Sequence, residues 1–206
     1  MVEQLKPVRS QNCMSRPDPP AKVSVLFIGE SPPASGRNFY RADSGLYRAI
    51  HEAFIAAGVA FDADDFLKVF LRAGCYFIDL CPKPVDRLPA KDRVLAHRAG
   101  EAQLSEAISR LRPEAIIVVV RSIEANVHRA IAQAHWRGPF LSLPYPGRWA
   151  SHKAVFVSSI QAALPGLLPG LLNRLAPKRK SGKPSIACRD TERDFPQTKK
   201  ARHKHL

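Results

Sequence analysis

The chain has 206 residues, 45% hydrophobic and 24% charged, enough for one well-buried domain with tails and too short for two full-sized ones. Lysines and arginines number 32 against 18 aspartates and glutamates, and the formal charge of +14 favours a polyanionic partner, either nucleic acid or an acidic membrane surface. No run of about 18 apolar residues occurs, which argues against a transmembrane helix.

The opening segment, residues 1–21, carries Pro7, Pro17, Pro19 and Pro20 and reads as a flexible leader. Met1 to Arg9 mixes Glu3, Lys6 and Arg9 with no apolar stretch behind it, unlike a signal peptide. Val23–Ile28 is a short apolar run rich in strand formers and closed by Gly29, a candidate buried strand. Leu46, Ala49, Ile50, Ala53, Phe54 and Ala57 then recur at helical spacing up to Gly58. A second apolar run, Cys75–Leu80, ends in the proline-rich loop Cys81–Pro84, and Lys91–Leu111 reads as a helix with Leu95, Leu104, Ile108 and Leu111 on one face. Ala115–Val120 has no alternation, as expected of a strand covered on both faces. Ser122 is placed to cap a helix running to about Ala134, Pro139–Leu143 supplies a fourth short strand, and a last helix spans Ala154 to about Leu175, kinked or split at Pro165 and Pro169.

This order predicts a three-layer α/β/α domain over residues 22–175, with a four-stranded parallel sheet. Ligands of such sheets sit beyond the carboxyl ends of the strands, which directs attention to the loops Gly29–Tyr40, Asp79–Pro89, Arg121–Ser122 and Pro144–Ser151. Residues 176–206 change character. Lys178, Arg179, Lys180, Lys183, Arg189, Arg193, Lys199, Lys200, Arg202 and Lys204 face only Asp190, Glu192 and Asp194, so the tail reads as basic and disordered. Such a tail serves equally as an arm for DNA phosphates or as a solubilising extension.

Cys13, Cys75, Cys81 and Cys188 show no CxxC spacing, and Cys75 and Cys81 flank an apolar run as buried thiols would, consistent with a reducing cytoplasm. His51, His97 and His128 lie on helices at unrelated spacings, which reads as surface or core positions with no metal bound.

The loop after the first strand carries most of the chemistry. Gly29 and Gly36 let backbone approach a ligand, Pro32 and Pro33 stiffen it, Glu30 is a carboxylate at the strand's carboxyl end, and Phe39 and Tyr40 offer a flat surface for a base. Gly29-Glu30-Ser31-Pro32 resembles the first motif of the uracil-DNA glycosylase superfamily, especially the GEAPG form of its thermophile-type branch. The segment Ile78 to Pro89 is similar to that branch's second-strand segment, Pro113–Val120 to its third strand, and Leu143-Pro144-Tyr145-Pro146 stands where the branch has His-Pro-Ser-Pro. The resemblance covers about residues 22–172 in order.

It implies a DNA-base glycosylase acting in repair as a monomer, with a base taken out of the helix into a pocket. Glu30 would position water and stabilise the sugar cation, and Asp79 would face the base edge. Ser31, Pro32, Phe39 and Tyr40 would line the base, with Phe39 stacking on it. Arg37 and Arg41 would contact the DNA backbone. Arg148 and Trp149 would wedge and hold phosphate, with Ser151 and Lys153 directing the next helix toward a phosphate. Two departures from the branch pattern matter. An Asn that reads the base edge is Asp79 here, which when ionised only accepts hydrogen bonds and disfavours uracil O4, and when protonated regains a donor. The His of the last motif is Leu143, for which His152 is a remote substitute that fits better on the first turn of the next helix. The branch's iron–sulfur cysteines are also missing, Cys13 being alone, so no cofactor is expected. The alternative is a catalytically silent nucleic-acid-binding module of the same fold. A nucleotide-binding α/β protein ranks last, because neither GxGxxG nor GxxxxGK[ST] is present.

Overall fold

The computed structural model describes residues 16–61, 66–147 and 149–169, so the expectations for the start of the leader and for the basic tail lie outside the described residues. Four strands, β1 (Val25–Gly29), β2 (Cys75–Asp79), β3 (Ala115–Val118) and β4 (Phe140–Ser142), pair in parallel in the order β2-β1-β3-β4. Among the described residues five α-helices accompany them: α1 (Gly45–Ala56), α2 (Phe66–Arg72), α3 (Ala90–Leu111), α4 (Glu124–Gln133) and α5 (Ala150–Leu167). The expected layered parallel architecture is therefore present. Among the described residues no helix is long and apolar enough to cross a membrane.

Strand alternation explains the uninterrupted apolar runs. Val25 and Phe27 of β1, Phe77 of β2 and Ile117 of β3 enter a core with Phe54 of α1, Phe70 of α2 and Phe156 of α5. Their neighbours Leu26, Ile28, Ile78 and Val118 enter a second core with Leu104 and Ile108 of α3 and Val127 of α4. A strand buried on both sides has no solvent face on which polar residues would be favourable.

Several boundaries differ from the sequence reading. The α2 helix appears where no element was expected. Its run Phe66–Leu71 is apolar at nearly every position and shows no stripe, although Phe66, Val69 and Phe70 are the ones buried. Leu95 is 60% exposed, and the inward face of α3 is made by His97, Gly100, Glu101, Leu104 and Ile108 instead. Ser122 caps no helix: it lies in a short 3-10 turn, Arg121–Ile123, after which α4 starts at Glu124 with no side-chain cap. The α5 helix begins at Ala150, one turn before the expected Ala154, and passes through Pro165 to Leu167.

The close seat of α3 on the sheet depends on Gly100, because a Cβ there would overlap the Leu80 carbonyl. Helices α3 and α4 are joined by Glu101, which is 6% exposed and accepts from Asn126 Nδ2 at 2.6 Å and Arg129 Nη2 at 2.7 Å. That pairing holds the Glu101 carboxyl below its usual range, mainly through the Arg129 hydrogen bonds. On the outer edge of the sheet, the Tyr40 hydroxyl accepts from Phe77 N at 2.8 Å and donates to Phe77 O at 3.1 Å. Phe77 lies on edge strand β2, so the phenol satisfies backbone groups that have no further strand to pair with.

Candidate active site

The site grows from the carboxyl ends of β1 and β2. Gly29 and Asp79 are partners in register, and pairing continues past the strands through Leu80 N to Gly29 O and Cys81 N to Glu30 O, at 2.9 and 2.8 Å. Asp79 follows Phe77 by two residues and shares its face of the sheet, toward α1 and α5. Glu30 alternates with Gly29 and turns to the other face, toward α3. The two carboxyls thus stand on opposite sides of the sheet edge, and both line one pocket of about 560 Å³. Gly29 is what allows this: a Cβ there would stand 2.5 Å from Asp79 Oδ1 and 2.7 Å from the Phe77 ring.

The α3 helix supplies a cluster that sequence reasoning missed. Arg93 reaches Glu30 with Nε at 2.6 Å from Oε1 and Nη2 at 2.5 Å from Oε2, and His97 Nε2 lies 2.7 Å from Oε1. The Glu30 side chain is 15% exposed and His97 9%, so the contact is shielded from solvent. The hydrogen bond to Glu30 raises the already high pKa of Arg93 further. Arg93 and His97 are four residues apart on a helix and therefore share a face. That spacing was the available signal.

Asp79 is the contrast. Among the described residues no hydrogen bond to its carboxyl is present, and burial pushes its pKa up to about 7, opposed by Arg16 and assisted by Glu30.

The surrounding loops are stitched together. Ser31 Oγ accepts from Val85 N at 3.2 Å, and Asp86 accepts from Ala34 N at 3.1 Å, which fixes the loop after β1 against the loop after β2. Pro32 lines the pocket with Ser31. Phe39 also lines it, stacked on Phe77 at 4.9 Å between centroids, and is 3% exposed overall. Its Asn38 neighbour caps the 3-10 turn Phe39–Arg41 by accepting from Tyr40 N at 2.8 Å. Tyr40 is absent from the pocket lining, because that turn directs its ring to the edge of β2, where its hydroxyl is occupied.

The cationic expectations separate. Arg37 is exposed, Arg41 lies 3.4 Å from Asp43, and Lys153 is 2.6 Å from Glu52. Trp149 is 61% exposed and takes the N-cap position of α5 without a side-chain cap bond, with Ser151 inside the first turn. Arg148 lies outside the described residues. Leu143 is buried in the α1/α5 core and offers no polar group, while Tyr145 from the same loop lines the pocket with its hydroxyl pKa raised by burial. Asn38, Ser44, Asp86 and Tyr145 are lining residues that the sequence did not single out. His152 lies in the first turn of α5.

Cys75 and Cys81 are both buried, and burial pushes the Cys81 thiol up to about 11 and that of Cys75 higher still. Among the described residues no three His, Cys, Asp or Glu side chains group as a metal site; Cys13 and Cys188 lie outside them.

The arrangement offers two carboxyls, one ion-paired and one without a hydrogen-bond partner among the described residues, a cation beside the first, and an aromatic wall, all at a sheet end where ligands bind. A search of curated proteins gave no match. The model of the uracil DNA glycosylase superfamily matches residues 17–165, most of the chain, and the chain belongs to that superfamily.

Proposed function

We propose that the protein is a DNA N-glycosylase that removes a deaminated or otherwise modified base, with Glu30 and Asp79 as its reacting and reading carboxyls. The superfamily acts on DNA. One observation carries the reading: Glu30 and Asp79 border a single pocket, one held by three hydrogen-bond contacts and the other free of them among the described residues. A volume of about 560 Å³ accommodates one extruded nucleotide, whose base is withdrawn from the duplex.

In the reaction the bond between the anomeric carbon and the base nitrogen breaks, and its electron pair leaves with the base. Water then bonds to the anomeric carbon, and its lost proton ends on the released base. Glu30 faces the sugar, where it orients the water and offsets positive charge. Arg93 and His97 fix its carboxylate in one orientation, and Oε2 carries only the Arg93 Nη2 contact, leaving acceptor capacity toward the pocket.

Asp79 faces the base edge. A protonated carboxyl donates to a carbonyl and accepts from the adjacent N–H, the same pair of contacts an amide makes. Deamination replaces an exocyclic amine by a carbonyl, so the protonated form suits deaminated bases. The ionised form only accepts and suits a base edge bearing N–H groups. Phe39 and Phe77 form the wall against which the base packs, and Ser31 and Pro32 border it. Arg37, Arg41, Trp149, Ser151 and Lys153 belong to the DNA-facing surface in this reading, with Arg41 and Lys153 exchanging their present carboxylate partners for phosphates.

The test uses duplex and single-stranded oligonucleotides carrying uracil, hypoxanthine or xanthine, incubated with protein and then treated with alkali. The reading predicts strand breaks at the modified position that disappear in Glu30→Gln. Salt-sensitive binding with no break at any base would instead identify a silent nucleic-acid-binding module.

A further inference from the structure

We propose that Arg93 is the anion-binding residue of the pocket, presenting its free guanidinium edge to an anionic oxygen of the bound DNA while Glu30 aligns it. This rests on the reading of the pocket as a nucleotide site. Among the described residues that line the pocket, Arg93 is the single cation. Its Nε and Nη2 are committed to Glu30, whereas Nη1 has no hydrogen bond among the described residues, and the side chain remains 38% exposed. A guanidinium held on one edge is oriented on the other, so little further ordering is required when a second oxygen arrives. The acidic groups facing it are Glu30 and, at longer range, Asp86.

The chemistry calls for such a group. A base that leaves with the bonding electron pair carries negative charge on an exocyclic oxygen, and a charged donor aimed there lowers the barrier. Among the described residues of the loop after β4 none supplies it, and Leu143 is 2% exposed and apolar. The other side-chain donors in the lining (Ser31, Asn38, Ser44 and Tyr145) are neutral. The backbone phosphate of the extruded nucleotide presents the same chemistry, an anionic oxygen, and the experiment separates the two.

Arg93→Gln and Arg93→Lys are compared with Arg98→Gln, which removes an exposed arginine from the same helix. Binding is measured on a duplex with a tetrahydrofuran abasic analogue, and excision on duplexes with uracil or 5-fluorouracil. If the departing base is the anion, Arg93→Gln slows uracil release by roughly 100-fold. It slows 5-fluorouracil release less, because that anion needs less help, and abasic binding stays at the wild-type value. If the phosphate is the anion, abasic binding weakens by about 10-fold and its salt slope falls by about one, and a methylphosphonate at that position abolishes the difference. Arg93→Lys falls between, and it keeps a charge beside Glu30 should the Gln variant fail to fold. Wild-type binding and excision in Arg93→Gln, or an equal loss in Arg98→Gln, would overturn the assignment. Should the protein release no base at all, the glycosylase reading fails while the abasic-binding comparison still decides Arg93: weaker binding supports it and unchanged binding overturns it.

Discussion

Glu30 and Asp79 end adjacent strands and border the same pocket, yet they are treated oppositely by their surroundings. Glu30 turns toward α3 and meets Arg93 and His97 at 2.5–2.7 Å. Asp79 turns toward α1 and α5 and meets the Phe77 side of the sheet, where burial lifts its pKa to about 7. The difference is one of strand parity: consecutive positions on a parallel sheet face different layers, and here one layer is polar at its end and the other aromatic. Two carboxyls whose surroundings differ in this way can take different tasks in one site.

The sharpest way to break this comparison is Glu30→Gln. The neutral amide keeps the shape, loses the charge and leaves Arg93 without its partner, so excision is expected to fall by about 100-fold or more while binding to an abasic duplex persists. Undiminished excision in gel assays would remove Glu30 from the chemistry.

Asp79→Asn probes the other half through stability alone. A carboxyl whose folded pKa lies above its unfolded value binds a proton on folding between about pH 4 and pH 7, so its cost to stability grows as the pH rises through that window and stays constant above it. The Asn variant is therefore expected to exceed the wild type at pH 8 by on the order of 4 kcal/mol and to match it near pH 4. Denaturant melts at the two values check this; equal stabilities at pH 8 would mean that Asp79 is not destabilised by its site.

Smaller effects delimit the pocket. Tyr40→Phe removes the hydroxyl that serves Phe77 N and O, and an expected loss of about 1–2 kcal/mol in unfolding experiments should leave base choice unchanged. Trp149→Ala, at an exposed ring, is expected to weaken abasic-duplex binding by about 1 kcal/mol. Its effect on folding stability should stay under about 0.5 kcal/mol.

Much of the fold was legible because burial on both faces leaves its mark on every residue of a strand: Val25–Ile28, Cys75–Ile78 and Ala115–Val120 are apolar without interruption. The α2 helix was hidden by the same property, since a run apolar at nearly every position announces neither period. The positions of Glu30 and Asp79 at strand ends were legible, being fixed by where the apolar runs stop. Their chemical partners were not. Arg93 and His97 lie in a polar stretch that looks like any solvated helix start, and only the close approach at Gly100 turns that face inward. Leu95 misled in the opposite sense, an apolar residue on the exposed side. Phe39 and Tyr40 are adjacent and chemically alike, and the turn that separates their directions is set by the Asn38 cap and by the unpaired edge of β2, both tertiary features.

The measurement that bears most directly on the paired-carboxyl site is the pH dependence of uracil excision in the wild type and in Asp79→Asn. If a protonated Asp79 holds the carbonyl edge of the base, wild-type excision falls as the pH rises through about 7, and the Asn variant keeps its activity across the same range. Superimposable profiles for the two proteins would contradict a base seated against Asp79.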